Sequence, residues 1–348
     1  MQLLNYTPFA PFVFHSEDVE RRPFFVLVLR GSFAIERDRP LRPLAEQEPV
    51  VLADRYRGEV NRSSLLVDSD LAPFKPRSDV HIEATAHAPR GKPRARWQVR
   101  ARVGKLDKSL RVTGPRCFRH GDDGWVLTEP EPCAELPLTY EHAFGGRQTE
   151  EGVETVDEHN PTGLGWVPEK WKGLRDGGDE DIPAPQVESP DEPVRELGES
   201  IAPQGLGPIV RAWLPRRELA GTYDDRWREQ RLPALPTDFD FAFYNSAHPD
   251  LIYPGYLEGD EQIFLEGLSP GGPLQFCLPG LSLSAELRDG QGQSQLVCCE
   301  LDTLRLDVPQ GRASLTWRAR AFGDEPLQEV VVRMDRSVAA HARGGDHG

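Results

Sequence analysis

Turn punctuation constrains this chain more than any other feature. From Gly259 onward, the runs EQIFLEGL, LQFCL, LSLSAELRD, QLVCCELDTLRLDV and ASLTWRARAF are separated by Pro-Gly-Gly, Pro-Gly, Asp-Gly-Gln-Gly and Pro-Gln-Gly turns. Leu281, Leu283, Ala285 and Leu287 alternate with polar neighbours, as do Leu315, Trp317 and Ala319. A period of two puts these residues on one face of a strand, the pattern of an antiparallel sheet with one wet face. The punctuation is chain-wide: 32 glycines and 32 prolines among 348 residues, only 38% of them hydrophobic, argue against a helical bundle. The expected fold is mainly β, with two packed antiparallel β-sandwich-like parts over 1–135 and 201–334 and little helix. A long central loop and an acidic proline-rich strap occupy 136–200 between them, and 335–348 form a small, polar tail.

Residues 22–35, RPFFVLVLRGSFAI, read as a strand buried on both faces, and Pro49-Val50-Val51-Leu52 begins another apolar run. In SDVHIEATAHA (78–88) the alternation puts Val80, Ile82, Ala84 and Ala86 on one face, with His81 and His87 on the other. Those two histidines lie about 20 Å apart along such a strand, too far to share a metal. RARWQVRARV (94–103) turns at Gly104-Lys105 into LDKSLRV, a hairpin with Trp97, Val99, Ala101 and Val103 inward and Arg100 and Arg102 outward. Tyr223 to Arg231 is the expected helix, with Asp224 and Asp225 at its positive end. Phe239, Phe241 and Phe243 alternate as a core strand would, and 175–200 read as a linker or exposed strap.

The stretch from Leu136 to Trp166 is the most distinctive. Tyr140, Glu141, His142 and Phe144 precede a Gly145-Gly146 break, and an acidic run closes on Asn160-Pro161-Thr162-Gly163-Leu164-Gly165-Trp166. Two turns bracketed by aromatics describe a long loop pinned at both ends. Tyr140, Phe144 and Trp166 are its candidate anchors, or its candidate contacts to a partner. Glu141, His142 and His159 are the residues a hydrolase or metal-dependent enzyme would use here. Their spacing matches no metal-ligand pattern, and the expectation is no metal and no cofactor. No nucleotide-binding glycine loop and no GxSxG nucleophile elbow occurs elsewhere.

Charge is unevenly distributed. Residues 55–119 hold 16 Lys/Arg against 6 Asp/Glu, whereas 120–200 hold 5 against 21. Either the two regions neutralise one another or stay solvated, or the basic face of Arg94, Arg96, Arg100 and Arg102 meets an acidic partner. A net charge of −15 speaks against a general nucleic-acid binder, and Trp97 falls on the face opposite Arg100 and Arg102, where no base could stack. No apolar run approaches the roughly 18 residues of a membrane span. Five scattered cysteines without a CxxC pair, and a start lacking a signal-peptide pattern, point to a reduced, cytoplasmic protein.

A series of signatures then falls in order. It comprises Asn5-Tyr6-Thr7-Pro8-Phe9, Tyr56-Arg57-Gly58-Glu59 with Ser63-Ser64, Pro76-Arg77-Ser78-Asp79-Val80, and Tyr140-Glu141-His142-Ala143-Phe144-Gly145-Gly146. Asn160-Pro161-Thr162-Gly163, Gly207-Pro208, Gly221-Thr222-Tyr223-Asp224-Asp225, Leu235-Pro236-Thr237-Asp238-Phe239-Asp240 and Leu257-Glu258-Gly259-Asp260-Glu261 follow. Over about 1–285 the chain resembles the bacterial family called domain of unknown function twenty-one sixty-nine. The resemblance implies a non-enzymatic adaptor or chaperone for a type VI secretion effector, acting beside the VgrG spike and PAAR tip proteins. It supplies no catalytic residues. The IPAPQVESPDEP segment and the region after about 290 depart from the family pattern.

Overall fold

Strand-forming residues from both ends of the chain meet in one sheet. The computed structural model describes residues 1–122, 124–168 and 181–336. Its largest sheet runs, in spatial order, Gln2–Asn5, Leu327–Arg336, Leu281–Asp289, Ser294–Asp307, Arg312–Phe322, Pro23–Ala34 and Ala10–Glu17. Asp79–Glu83 adds to Ser294–Asp307, and Arg42–Pro43 to Pro23–Ala34. The pairing is antiparallel except for Gln2–Asn5 on Leu327–Arg336 and Asp79–Glu83 on Ser294–Asp307. A second sheet of five strands is ordered Val187–Glu188, Leu106–Thr113, Arg96–Val103, Gln262–Glu266 and Leu274–Cys277. The fold is mainly β, as expected. Segments 1–135 and 201–334, however, do not form separate sheets, because each large sheet takes strands from both.

One continuous core lies between the sheets. Leu27, Leu29 and Phe33 of Pro23–Ala34, Leu315 and Trp317 of Arg312–Phe322, and Val99, Ala101 and Val103 of the hairpin all belong to it. Phe9 stacks on Trp317 with centroids 5.1 Å apart and fits beneath Gly31, where an added Cβ would meet the Phe9 and Phe33 rings at 2.8 Å. The glycine in mid-strand is therefore a place of close approach.

The wet face expected for the C-terminal meander is missing at Arg312–Phe322, which is buried on both sides. Residues 47–51 and 68–75 cover its outer side, and Asp70 fastens them there. Arg30 Nη1 donates to Asp70 Oδ2 at 3.2 Å, the Val51 N–H donates to the same oxygen at 2.8 Å, and Thr316 Oγ1 donates to Oδ1 at 3.1 Å. Arg318 Nη1 donates to the carbonyls of Asp70 and Ala72. Polar residues that alternation assigned to solvent thus face a cover instead. Val50 and Val51 belong to this cover and form no strand.

Other elements also depart from expectation. Phe239, Phe241 and Phe243 do not make a strand: Asp240 accepts the Ala242 N–H and starts a 3-10 turn, Phe241–Tyr244. The rings pack on one another, Phe239 lying 5.4 Å from Phe241 and 5.6 Å from Phe243. Residues 78–88 split into Asp79–Glu83 and Thr85–His87, and His81 is buried rather than wet. The helix is Asp225–Gln230, with Asp224 Oδ1 accepting the Trp227 N–H at its start. Residues 181–200 are no exposed strap. Ala184, Val187 and Val194 are buried, and Glu188 pairs with buried Arg116 at 2.6 Å. Residues 175–180 of the expected strap, and all but the first two residues of the expected tail, lie outside the described residues.

Removing a partner from a buried ion pair strands the other charge. Asp70→Ala should therefore destabilise the protein by about 3–5 kcal/mol in denaturant titration, by leaving Arg30 with only exposed Glu48 and freeing the cover over 47–51 and 68–75.

Candidate partner-binding surfaces

The 136–166 stretch is built around a side-chain amide. Phe144–Gly145 pairs in parallel with Leu164–Gly165, and the intervening residues form the hairpin Arg147–Glu150 and Val153–Val156. Asn160, wholly buried, donates from Nδ2 to the carbonyls of Tyr140 at 2.7 Å and Phe144 at 2.8 Å, while its Oδ1 accepts from Thr162 Oγ1 at 2.9 Å. Gly145, at φ 141°, leaves no room for a side chain: a Cβ would come within 2.1 Å of the Asn160 carbonyl. The glycine pair and the Asn-Pro-Thr-Gly turn thus lock each other.

The anchors sit accordingly. Tyr140 lies in the main core, edge-on to Trp213 at 5.8 Å, and burial pushes its phenol well above the usual range. Phe144 is buried in a smaller cluster with Phe118, Ala184 and Val194, against which half-buried Trp166 packs. Tyr140 and Phe144 thus present no surface to a partner in this conformation.

Glu141, His142 and His159 are drawn to different places. Glu141 accepts from the Ser64 N–H at 2.7 Å and Ser64 Oγ at 2.9 Å. Burial raises its pKa, but these and other hydrogen bonds prevail and hold the carboxyl below its ordinary value. His142 Nδ1 lies 3.0 Å from Gln186 Oε1, whereas exposed His159 lies 3.6 Å from Asp157. Among the described residues no group of three or more His, Cys, Asp or Glu is placed to hold a metal.

The basic hairpin is different. Trp97, Val99, Ala101 and Val103 are buried, while Arg94, Arg96, Arg100 and Arg102 are exposed. Register places Asp107 opposite Arg102, Ser109 opposite Arg100 and Arg111 opposite Gln98, with Phe264 and Glu266 flanking on the next strand. Arg100 grips Asp107 through Nε at 2.7 Å and through Nη2, and this hydrogen bonding raises the guanidinium pKa and lowers that of the carboxyl. Arg102 lies 3.8 Å from Asp107, and Arg96 lies 3.6 Å from exposed Glu129. Part of the basic and acidic regions do neutralise one another, through Arg116–Glu188, Arg119–Asp181 and Arg62–Glu154. Half-buried Phe264 adds an apolar element to the face of the hairpin arginines, opposite Arg102.

A buried polar cluster went unnoticed in the sequence. Asp79 accepts from Lys75 Nζ at 2.8 Å, Asn245 Nδ2 at 3.0 Å and the Ser246 N–H at 3.0 Å. His81 Nε2 lies 3.1 Å from Ser246 Oγ. Burial brings the imidazole down to about 4 against the pull of Asp79. Asp68 next to it goes the other way: burial raises its pKa, but Arg216, Lys75 and Arg211 bring it to about 2. A serine beside a histidine suggests a nucleophile, but Ser246 is wholly buried and His81 nearly so, out of reach of a substrate. The signal available in advance was Lys75 and Asp79 flanking Pro76-Arg77-Ser78.

Two predictions follow from these buried groups. Asn160→Asp cannot donate to the Tyr140 and Phe144 carbonyls and should cost about 2–4 kcal/mol in chemical denaturation. For His81 the folded value lies below the unfolded value near 6.5, so the unfolded chain binds more protons between those two values. Stability should be full above about pH 6.5 and decline by roughly 3 kcal/mol as pH falls to about 4. His248, brought to about 4 by burial and Lys108, adds a second increment in the same window. His81→Asn should remove about half of that slope in pH-dependent melting.

No curated protein and no solved structure matches the chain. The family model described as "Uncharacterized protein conserved in bacteria (DUF2169)" matches residues 20–318, and the chain belongs to that bacterial family.

Proposed function

We propose that this protein is a non-enzymatic adaptor that binds a type VI secretion effector in the cytoplasm and helps to load it onto the VgrG spike or its PAAR tip. The observation that carries the reading is the outer face of the five-stranded sheet. There Arg96, Arg100 and Arg102 line one face of Arg96–Val103, half-exposed Arg111 stands on the next strand, and half-buried Phe264 lies opposite Arg102, on a hairpin whose other side is core. A row of guanidiniums with an aromatic at one end suits a protein partner with an acidic contact patch, since arginine and aromatic residues carry much of the affinity of such interfaces. The titratable groups a hydrolase would need at Glu141, His142 and His159 are instead engaged with Ser64, Gln186 and Asp157. The effector adaptor role is what the family resemblance implies, and no helix among the described residues is long and apolar enough to cross a membrane.

Electrostatic complementarity acts chiefly on encounter rate and is screened by salt. Charge reversal at Arg94, Arg96 and Arg102 should slow association with the effector about tenfold or more at low salt and leave the melting temperature nearly unchanged. Stopped-flow mixing and thermal melting read the two effects. The direct test is co-expression with the toxin encoded in a neighbouring gene, followed by pull-down and a secretion assay in a deletion strain. A toxin that is soluble, stable and secreted without this protein, and never co-purifies with it, would refute the adaptor role.

A further inference from the structure

The largest sheet begins and ends with the first two strands of the chain. Gln2–Asn5 pairs on one side with Leu327–Arg336, and Ala10–Glu17 pairs on one side with Pro23–Ala34. Only Tyr6–Phe9 separates the two strands in sequence, and Asn5 Nδ2 donates to the Phe9 carbonyl at 2.8 Å. The sheet therefore curls until its two edges flank a seam, and among the described residues no β-pairing crosses it. Following the pairings around the sheet, the two edge strands run in opposite senses.

The longer edge is chemically unfinished. Every residue of Ala10–Glu17 is half-buried or exposed, and its outward backbone groups have no backbone partner among the described residues. Core-facing Leu3 and Val13 border the seam only partly buried, while Phe12 and Phe14 are partly buried on the outer cluster of Phe24, Val26 and Val28. Edge strands are ordinarily blunted by lysines, inward charges or a cover. APFVFHSE has no lysine, its one carboxylate lies at the end, and its proline, Pro11, stands near the start, leaving the run from Phe12 onward open. An inserted strand requires two inter-strand spacings, about 10 Å. The five Cα steps from Asn5 to Ala10 can span up to about 18 Å.

We propose that this seam accepts an extended segment of a partner polypeptide, which adds along Ala10–Glu17 as a further strand. The proposal rests on the adaptor reading for the identity of the partner, but not for its chemistry. Such a segment has one face over Leu3 and Val13 and the other beside Phe12 and Phe14. It must be apolar on both faces, an uncharged Val/Ile-rich run of six to eight residues by roughly the length rule for strands. Pro23–Ala34, with Phe24 to Leu29, already meets that requirement on the other side of the same strand. A second copy of this chain is the poorer occupant, because each copy carries −15.

The test uses the full chain and two synthetic peptides with lysines at both ends. One carries a six-residue Val/Ile run, and the other alternates Val with Glu. Amide hydrogen exchange over residues 10–17 should slow about tenfold or more with the first peptide only. Protection should vanish in a Phe12→Lys, Phe14→Lys variant that melts like the parent. No protection by the Val/Ile peptide, equal protection by both, or protection surviving in the variant would overturn the proposal. So would protection that depends on protein concentration alone, because a second copy would then fill the seam. Capture of the co-expressed toxin is read separately. Its failure refutes the adaptor role, whereas capture with unchanged exchange over 10–17 refutes strand addition to the seam.

Discussion

A carboxylate with no access to water, Asp79, holds the middle of this protein together. An uncompensated buried charge costs far more than most packing defects, so the groups that satisfy it must be brought to it from wherever they lie in sequence. Lys75 arrives from the preceding turn, and Asn245 and Ser246 come from a segment more than 160 residues away. Ser78 beside it extends the tie, donating to the Leu301 carbonyl and accepting the Leu257 N–H. The short strand Asp79–Glu83 is thereby set in parallel on Ser294–Asp307, a pairing that no tight hairpin could make. The large sheet, the 68–75 part of its cover and the connecting segment over 239–257 all meet at this point.

Arginines divide into two populations. Arg30, Arg116, Arg216 and Arg318 are buried, each against a carboxylate and two of them, Arg216 and Arg318, against backbone carbonyls as well, and they fasten irregular segments to sheets. Five donors in a planar fork suit that task, because one side chain can satisfy several carbonyls that no strand reaches. The exposed pairs that the hairpin arginines make with Asp107 and Glu129 contribute little to stability, as exposed pairs generally do.

Much of the strand content was legible from alternation and turns. The hairpin at 96–113, the strand at 23–34, the capped helix at 225–230 and the C-terminal meander needed only local rules. What was not legible depended on partners distant in sequence. Alternation in Arg312–Phe322 was real, but its polar residues face Asp70 and the cover around it rather than water. The Phe239, Phe241 and Phe243 spacing of two suits a strand, and a local Asp240 cap with ring packing decided otherwise. Of the candidate site, the pinning of the 136–166 loop was evident from its glycines and aromatics. Its organising residue, Asn160, appeared only as part of a turn, because nothing in sequence says which carbonyls its amide will find.

The hydrogen-bonded partnership of Pro23–Ala34 with Arg312–Phe322 carries a consequence for biosynthesis. A ribosome adds about 5–20 residues each second, so the early strand waits tens of seconds for the late one to emerge. During that interval the nascent chain exposes its most aggregation-prone run, PFFVLVL, with only Ala10–Glu17 available alongside it. The yield of active molecules in the cell is then set by translation speed and by holdase chaperones as much as by final stability.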